Sequence, residues 1–185
     1  WLDEEVGAAR FKVFVGMRHS PPTIRDAVKR LREGGFARAV ALPLTPYDSG
    51  LSVGAYLKAL EEARSAEAAG LEVLPVRSWC REPLFIDCWA ERLREARDRL
   101  PETSRPDARV LFTAHSLPKG RLPAGDPYPA ELDATARAVA GKAGLKDWEL
   151  AYQSRGRVAG EWLGPQIADA SAAGYFAAAY AADAY

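Results

Sequence analysis

Val110-Leu111-Phe112-Thr113-Ala114-His115-Ser116-Leu117-Pro118 decides the fold. A near-continuous apolar run of this kind reads as a strand buried on both faces, which is the signature of a parallel sheet. The run ends on a histidine. Ligands in parallel α/β proteins bind in the crevice beyond the carboxyl ends of the strands, so His115 stands where chemistry is done. Outward from it, residues 109–113 open a βα series. A helix follows from Pro129, a good first helical residue, to Ala143; Gly144 stops it, and residues 148–152 form the next strand.

Towards the N-terminus the same alternation continues. Residues 11–16 (FKVFVG) read as a strand. Pro21-Pro22-Thr23 then opens a helix with Ile24, Ala27, Val28 and Leu31 on one face, ended by Gly34-Gly35. Residues 37–44 make a second strand, residues 53–69 a helix closed by Gly70, residues 71–76 a third strand and residues 84–100 a long helix. The charged, proline-containing segment 101–107 reads as an exposed connection. Strands joined by crossover helices require parallel pairing, so the class is α/β. Half of the last 20 residues are alanine, and their pattern is poor; a short helix and a strand over residues 175–180 is one reading, incomplete or poorly defined sequence the other.

Composition excludes several functions. The 25 basic and 25 acidic residues among 185 cancel, so no global field draws the chain to nucleic acid or to an anionic membrane surface. No apolar run reaches the roughly 18–20 residues that span a bilayer, and Trp1-Leu2-Asp3-Glu4-Glu5 lacks the basic start of a signal peptide. The expected location is the cytoplasm. Cys80 and Cys88 give neither a disulfide framework nor a usual zinc spacing, and both are expected to be reduced.

Six ordered motifs, in a resemblance that runs from residue 11 to residue 165, are similar to those of ferrochelatases. They are Gly16-Met17-Arg18-His19, Leu42-Pro43-Leu44-Thr45-Pro46, Ala114-His115-Ser116-Leu117-Pro118, Gly125-Asp126-Pro127-Tyr128-Pro129, Tyr152-Gln153-Ser154 and Trp162-Leu163-Gly164-Pro165. The resemblance implies two Rossmann-like (chelatase-type) lobes, each a parallel sheet flanked by helices, with iron inserted into a porphyrin in the cleft between them. On this reading residues 1–80 are part of the first lobe, 81–107 a crossover helix and connection, and 108–185 part of the second.

Metal insertion explains the histidine. Two pyrrole N–H protons must leave as the metal enters, and a neutral imidazole both accepts protons near physiological pH and ligates divalent iron. By resemblance the active-site histidine falls on His115, as iron ligand, proton acceptor or both; for a histidine at a strand end the plain alternative is a satisfied hydrogen-bonding residue. His19 is the second and last histidine. Histidine after a basic residue, as in Arg18-His19, is similar to the branch that acts on coproporphyrin III, in which a tyrosine matching Tyr56 holds a propionate. Propionates need donors, and Arg18, His19, Tyr56, Ser154 and Arg155 are candidates. Tyr56 reads equally as a half-buried helix aromatic, and Arg18 as a solvated charge. Trp162 reads first as a core anchor, and Asp126-Pro127 as a turn and helix start.

The resemblance implies ferrous iron as substrate and no organic cofactor. Cys88 matches a position that in some members ligates a [2Fe-2S] cluster, with three further cysteines from a C-terminal extension; one cysteine cannot hold a cluster, and a buried helix cysteine acting as a small hydrophobe is the alternative. Other readings are insertion of iron into protoporphyrin IX, insertion of another metal into another tetrapyrrole, and non-catalytic tetrapyrrole binding. Nothing in the sequence identifies a partner that accepts the haem. Ferrochelatases also carry an additional N-terminal βα segment and a glutamate facing the histidine. No glutamate follows Glu161, so the chain is expected to correspond to the middle of such an enzyme and to show little activity alone.

Overall fold

The computed structural model describes residues 11–157, 159–171 and 177–180. They divide into two compact units. The described part of the first runs to Leu42 and resumes at Ala55–Val76; the second takes Pro43–Gly54 and everything described from Arg77 on. Residues 81–107 fall wholly within the second unit.

The first unit is built on two parallel strands, β1 (Arg38–Ala41) and β2 (Glu72–Pro75), in register from Arg38 opposite Glu72 to Ala41 opposite Pro75. Helix α1 (Ile24–Glu33) starts where the sequence puts it. Thr23 accepts the Asp26 amide at 3.1 Å, and the Asp26 carboxylate accepts the Thr23 amide at 2.8 Å, a reciprocal cap that satisfies two otherwise orphaned donors. That hydroxyl and amide of Thr23 hold the Asp26 carboxyl below its ordinary range. The helix buries Ala27 and Val28. Helix α2 (Val53–Glu67) begins in the second unit and continues in the first. Its last residue, Glu67, accepts Arg25 Nε at 2.6 Å and Arg32 Nη1 at 3.4 Å, tying the two helices at the surface.

The expected strand over residues 11–16 is not formed. Among the described residues the nearest backbone pairing is a bridge just past it, between Met17 and Thr23, and Phe11, Val13 and Val15 are 63, 69 and 51% exposed. A strand exists through its neighbour's hydrogen bonds, and apolar alternation alone does not supply a neighbour among the described residues. β1 is also shorter than residues 37–44, since Pro43 has no N–H for a ladder.

The second unit carries a three-stranded parallel sheet in the order β4 (Trp148–Gln153), β3 (Val110–His115), β5 (Ala177–Tyr180). Alternation along β3 explains its apolar run. Val110 and Phe112 pack with Ile86, Ala90 and Leu93 of α3 (Pro83–Asp98) and with Ala136, Val139 and Ala140 of α4 (Tyr128–Ala143). Leu111, on the other face, packs with Ala151 and with Ala170 of the short helix α5 (Ile167–Ser171). With both faces covered, no position in the strand tolerates a polar side chain without a partner. Helix α4 ends at Gly144 in the left-handed conformation, φ 67°. Residues 101–107 form exposed turns, as their composition indicates. Among the described residues, no helix is long and apolar enough to cross a membrane.

Candidate functional site

His115 is the last residue of β3, half-buried and directly opposite Gln153 of β4. Alternation places both on the face shared by Leu111 and Ala151, at the carboxyl end of the sheet. The chain on either side of His115 is held by main-chain and side-chain bonds. The Ser116 amide donates to the Gln153 carbonyl at 2.8 Å, and the buried Ser116 hydroxyl donates to the Leu163 carbonyl at 2.8 Å. Gln166 Nε2 reaches that same carbonyl at 2.5 Å and the Ser116 hydroxyl at 3.4 Å. The His115 carbonyl itself accepts the hydroxyl of Tyr128 at 3.1 Å.

Tyr128 comes from the Gly-Asp-Pro-Tyr-Pro turn, and the turn explains how it gets there. Gly125 takes φ 74°, a conformation that other residues adopt at a cost. Asp126, one residue before the N-cap Pro127, accepts the Tyr128 amide with one carboxylate oxygen at 3.1 Å. Its other oxygen accepts the Gly50 amide at 2.8 Å and the Ser49 hydroxyl at 3.1 Å. Asp126 thus stands in the turn before the helix start, as the sequence suggests, and also clamps the 43–54 loop. Glu131, one turn along the helix, accepts the Asp48 amide at 2.7 Å, and Asp48 pairs with Arg77 through two bonds of 2.8 and 3.0 Å. The ring of Tyr47, also on this loop, meets that of Tyr128 edge to face, with centroids 6.1 Å apart.

Beyond β4, Ser154 is exposed and sits at φ 58°, unusual for a non-glycine residue, and Arg155 is exposed beside it. Trp162 is half-buried. It bridges to Pro118 through the backbone, and its indole covers Gly156 so closely that a β-carbon there would lie 2.8 Å from the ring. That packing fits an anchor better than a wall for a ligand. Tyr152, behind His115, is buried; desolvation and, second, the Asp133 charge push its phenol up to about 12.

In the first unit, Arg18 and His19 lie in an exposed bend following the Met17 bridge. The Arg18 guanidinium stacks over the Tyr56 ring of α2, 5.8 Å from its centroid, so two of the candidate donors are brought together. Arg18 also edges a groove of about 290 Å³ lined with Ile24, Arg25, Glu62 and Ala63. Cys88 is exposed on α3 and not the buried residue expected, because the face that packs inward is that of Ile86, Ala90 and Leu93; Cys80 is buried. No group of three His, Cys, Asp or Glu side chains among the described residues is arranged to hold a metal.

Two residues next to the histidine carry no candidate role in the sequence analysis, Tyr128 and Gln153. Both stand inside quoted motifs, but Gln153 lies one residue past the strand expected over residues 148–152, and its place opposite His115 comes from the pairing of β4 with β3.

Residues 2–175 match the family model for ferrochelatase. The chain is 36% identical over 168 residues to the coproporphyrin III ferrochelatase of Bacillus subtilis, covering 91% of this chain and 54% of that protein. It is 37% identical over 160 residues to a ferrochelatase of Herpetosiphon aurantiacus, covering 86% and 52% of the two chains. It is 40% identical over 158 residues to a ferrochelatase of Deinococcus radiodurans, covering 84% and 50%. The chain therefore spans about half the length of the curated relatives it matches.

Proposed function

The chain belongs to the ferrochelatase family, and from that membership we propose that the protein inserts ferrous iron into coproporphyrin III in haem biosynthesis, with His115 at the reacting centre. The observation that carries the reading is a half-buried imidazole at the carboxyl end of a doubly covered parallel strand, with the backbone around it bonded on both sides. A group so held costs little further ordering when the substrate arrives. Neutral imidazole takes a pyrrole proton or ligates the incoming iron, and either role speeds the exchange of two protons for one metal ion.

Coproporphyrin III is the substrate this reading favours over protoporphyrin IX. Its additional propionates match charge-assisted donors, and Arg18 stacked on Tyr56, with His19 beside it in sequence, supplies a donor cluster. Ser154 and Arg155, exposed beyond β4, are donors of the same kind. The Bacillus subtilis relative carries the coproporphyrin name, whereas the Herpetosiphon and Deinococcus relatives are named ferrochelatase without a substrate. Cytoplasmic location and independence of an organic cofactor belong to the same proposal.

The test is iron insertion by the wild-type protein and by His115→Ala, each with coproporphyrin III and with protoporphyrin IX. Loss of His115 is expected to lower kcat at least about 100-fold, the smallest usual contribution of a positioned acid–base group. A folded variant within a few-fold of wild type would remove His115 from the mechanism. A higher kcat/KM for protoporphyrin IX than for coproporphyrin III would overturn the substrate assignment.

A further inference from the structure

We infer that Tyr128 is a positioning residue for His115, acting through its hydroxyl on the His115 carbonyl; the inference rests on the role of His115 proposed above. A strand end is the place where a ladder stops and the final peptide is free to rotate. On the β4 side the ladder reaches one residue past His115, through the Ser116 amide to the Gln153 carbonyl at 2.8 Å. The His115 carbonyl is met by a side chain of helix α4, with Tyr128 Oη 3.1 Å away. Together these bonds fix the peptide that follows His115, and with it the direction in which the imidazole leaves the backbone.

The donor is itself fixed. Tyr128 is 2% exposed, its amide is bonded to Asp126 Oδ1 at 3.1 Å, and its ring is packed against Tyr47 at 87°. A tyrosine buried only for its ring needs no acceptor that matters to the strand, and its hydroxyl could have been met elsewhere at equal benefit. Here it is spent on the one carbonyl belonging to the histidine. Tyr128→Phe keeps the ring and its packing and removes the bond to the His115 carbonyl. Displacing a reacting group by about 1 Å costs about 100-fold, so a shift of a fraction of that distance is expected to cost about tenfold.

The experiment compares kcat and KM for iron and porphyrin in wild type, Tyr128→Phe, Thr135→Val and His115→Ala. Thr135 is the matched control, because its buried hydroxyl also donates from α4 to a carbonyl, that of Cys80 at 2.9 Å, about two turns along the helix from Tyr128 and not on the strand. The expected result is a kcat about tenfold lower in Tyr128→Phe, with both KM values within about twofold of wild type, and a near-normal kcat in Thr135→Val. Three outcomes overturn the inference: Tyr128→Phe at wild-type kcat, an equal loss in Thr135→Val, or an effect confined to KM. Wild-type turnover in His115→Ala would sink the underlying assignment instead, whatever Tyr128→Phe does. If Tyr128→Phe is recovered unfolded, Asp126→Asn takes its place, since it loosens the Tyr128 amide and keeps the hydroxyl. A kcat loss of about threefold is then expected, and an unchanged kcat overturns the inference.

Discussion

Replacing Asp126 with alanine tests the clamp on which the site's geometry depends. The carboxylate accepts three donors: the Tyr128 amide, the Gly50 amide and the Ser49 hydroxyl. Loss of the acceptor for the Tyr128 amide costs about 1 kcal/mol. The Ser49 hydroxyl is fully buried, so its lost acceptor costs about 1.5 kcal/mol more. Gly50 is exposed, and water replaces its partner for about 0.5 kcal/mol. The sum, about 3 kcal/mol, corresponds to a Tm lower by roughly 6–12 °C for a chain of this size. Asparagine keeps one acceptor oxygen and should cost about half as much. Calorimetry gives the Tm, and amide hydrogen exchange reads Gly50 and Tyr128 individually; both should lose protection in Asp126→Ala. A Tm within about 2 °C of wild type, or a Gly50 amide still protected, would show that Asp126 does not hold the loop.

Two further outcomes follow from single residues. The Tyr152 phenol is pushed up to about 12 by burial, so its neutral form is the stabilised one; its contribution is complete below the ordinary phenol range, near 10, and is lost as pH rises through about 12. Phenolate absorbance of wild type minus Tyr152→Phe should titrate near 12, and a difference curve centred near 10 would refute the burial argument. At Gly144, φ is 67° and an added β-carbon meets nothing within 4 Å, so Gly144→Ala should cost only the conformational term, about 1 kcal/mol in urea unfolding; an unchanged midpoint would contradict it.

The legible parts of this chain are those in which local chemistry and burial agree. Thr23 opens α1, Gly144 ends α4, and the run from Val110 to His115 is apolar because helices cover both of its faces. Pattern also fails for physical reasons. Residues 11–16 have the alternation of a strand, yet pairing is a property of two segments, and the second cannot be read from the first. Tyr128 stands in a quoted motif, but its bond to the His115 carbonyl depends on how α4 lies against β3. The 43–54 loop likewise looks like a plain connection between β1 and α2, while its partners Asp126 and Glu131 lie in a helix start far downstream. Of the candidate donors, Arg18 and Tyr56 meet in the first unit, and Ser154 and Arg155 follow β4 in the second.

That downstream bond has a consequence for biosynthesis. Asp48 and Glu131 are 83 residues apart, and Gly50 and Asp126 are 76 apart. At about 5–20 residues per second, a ribosome makes the loop roughly 4–17 s before it makes the groups that fasten it. During that interval the Ser49 hydroxyl and the Asp48 and Gly50 amides have water in place of Asp126 and Glu131, and Tyr47 has no ring to pack against from Tyr128. The loop can lock only after the start of α4 has left the exit tunnel, so a nascent chain paused before residue 126 would offer residues 43–54 to proteases that the finished protein resists.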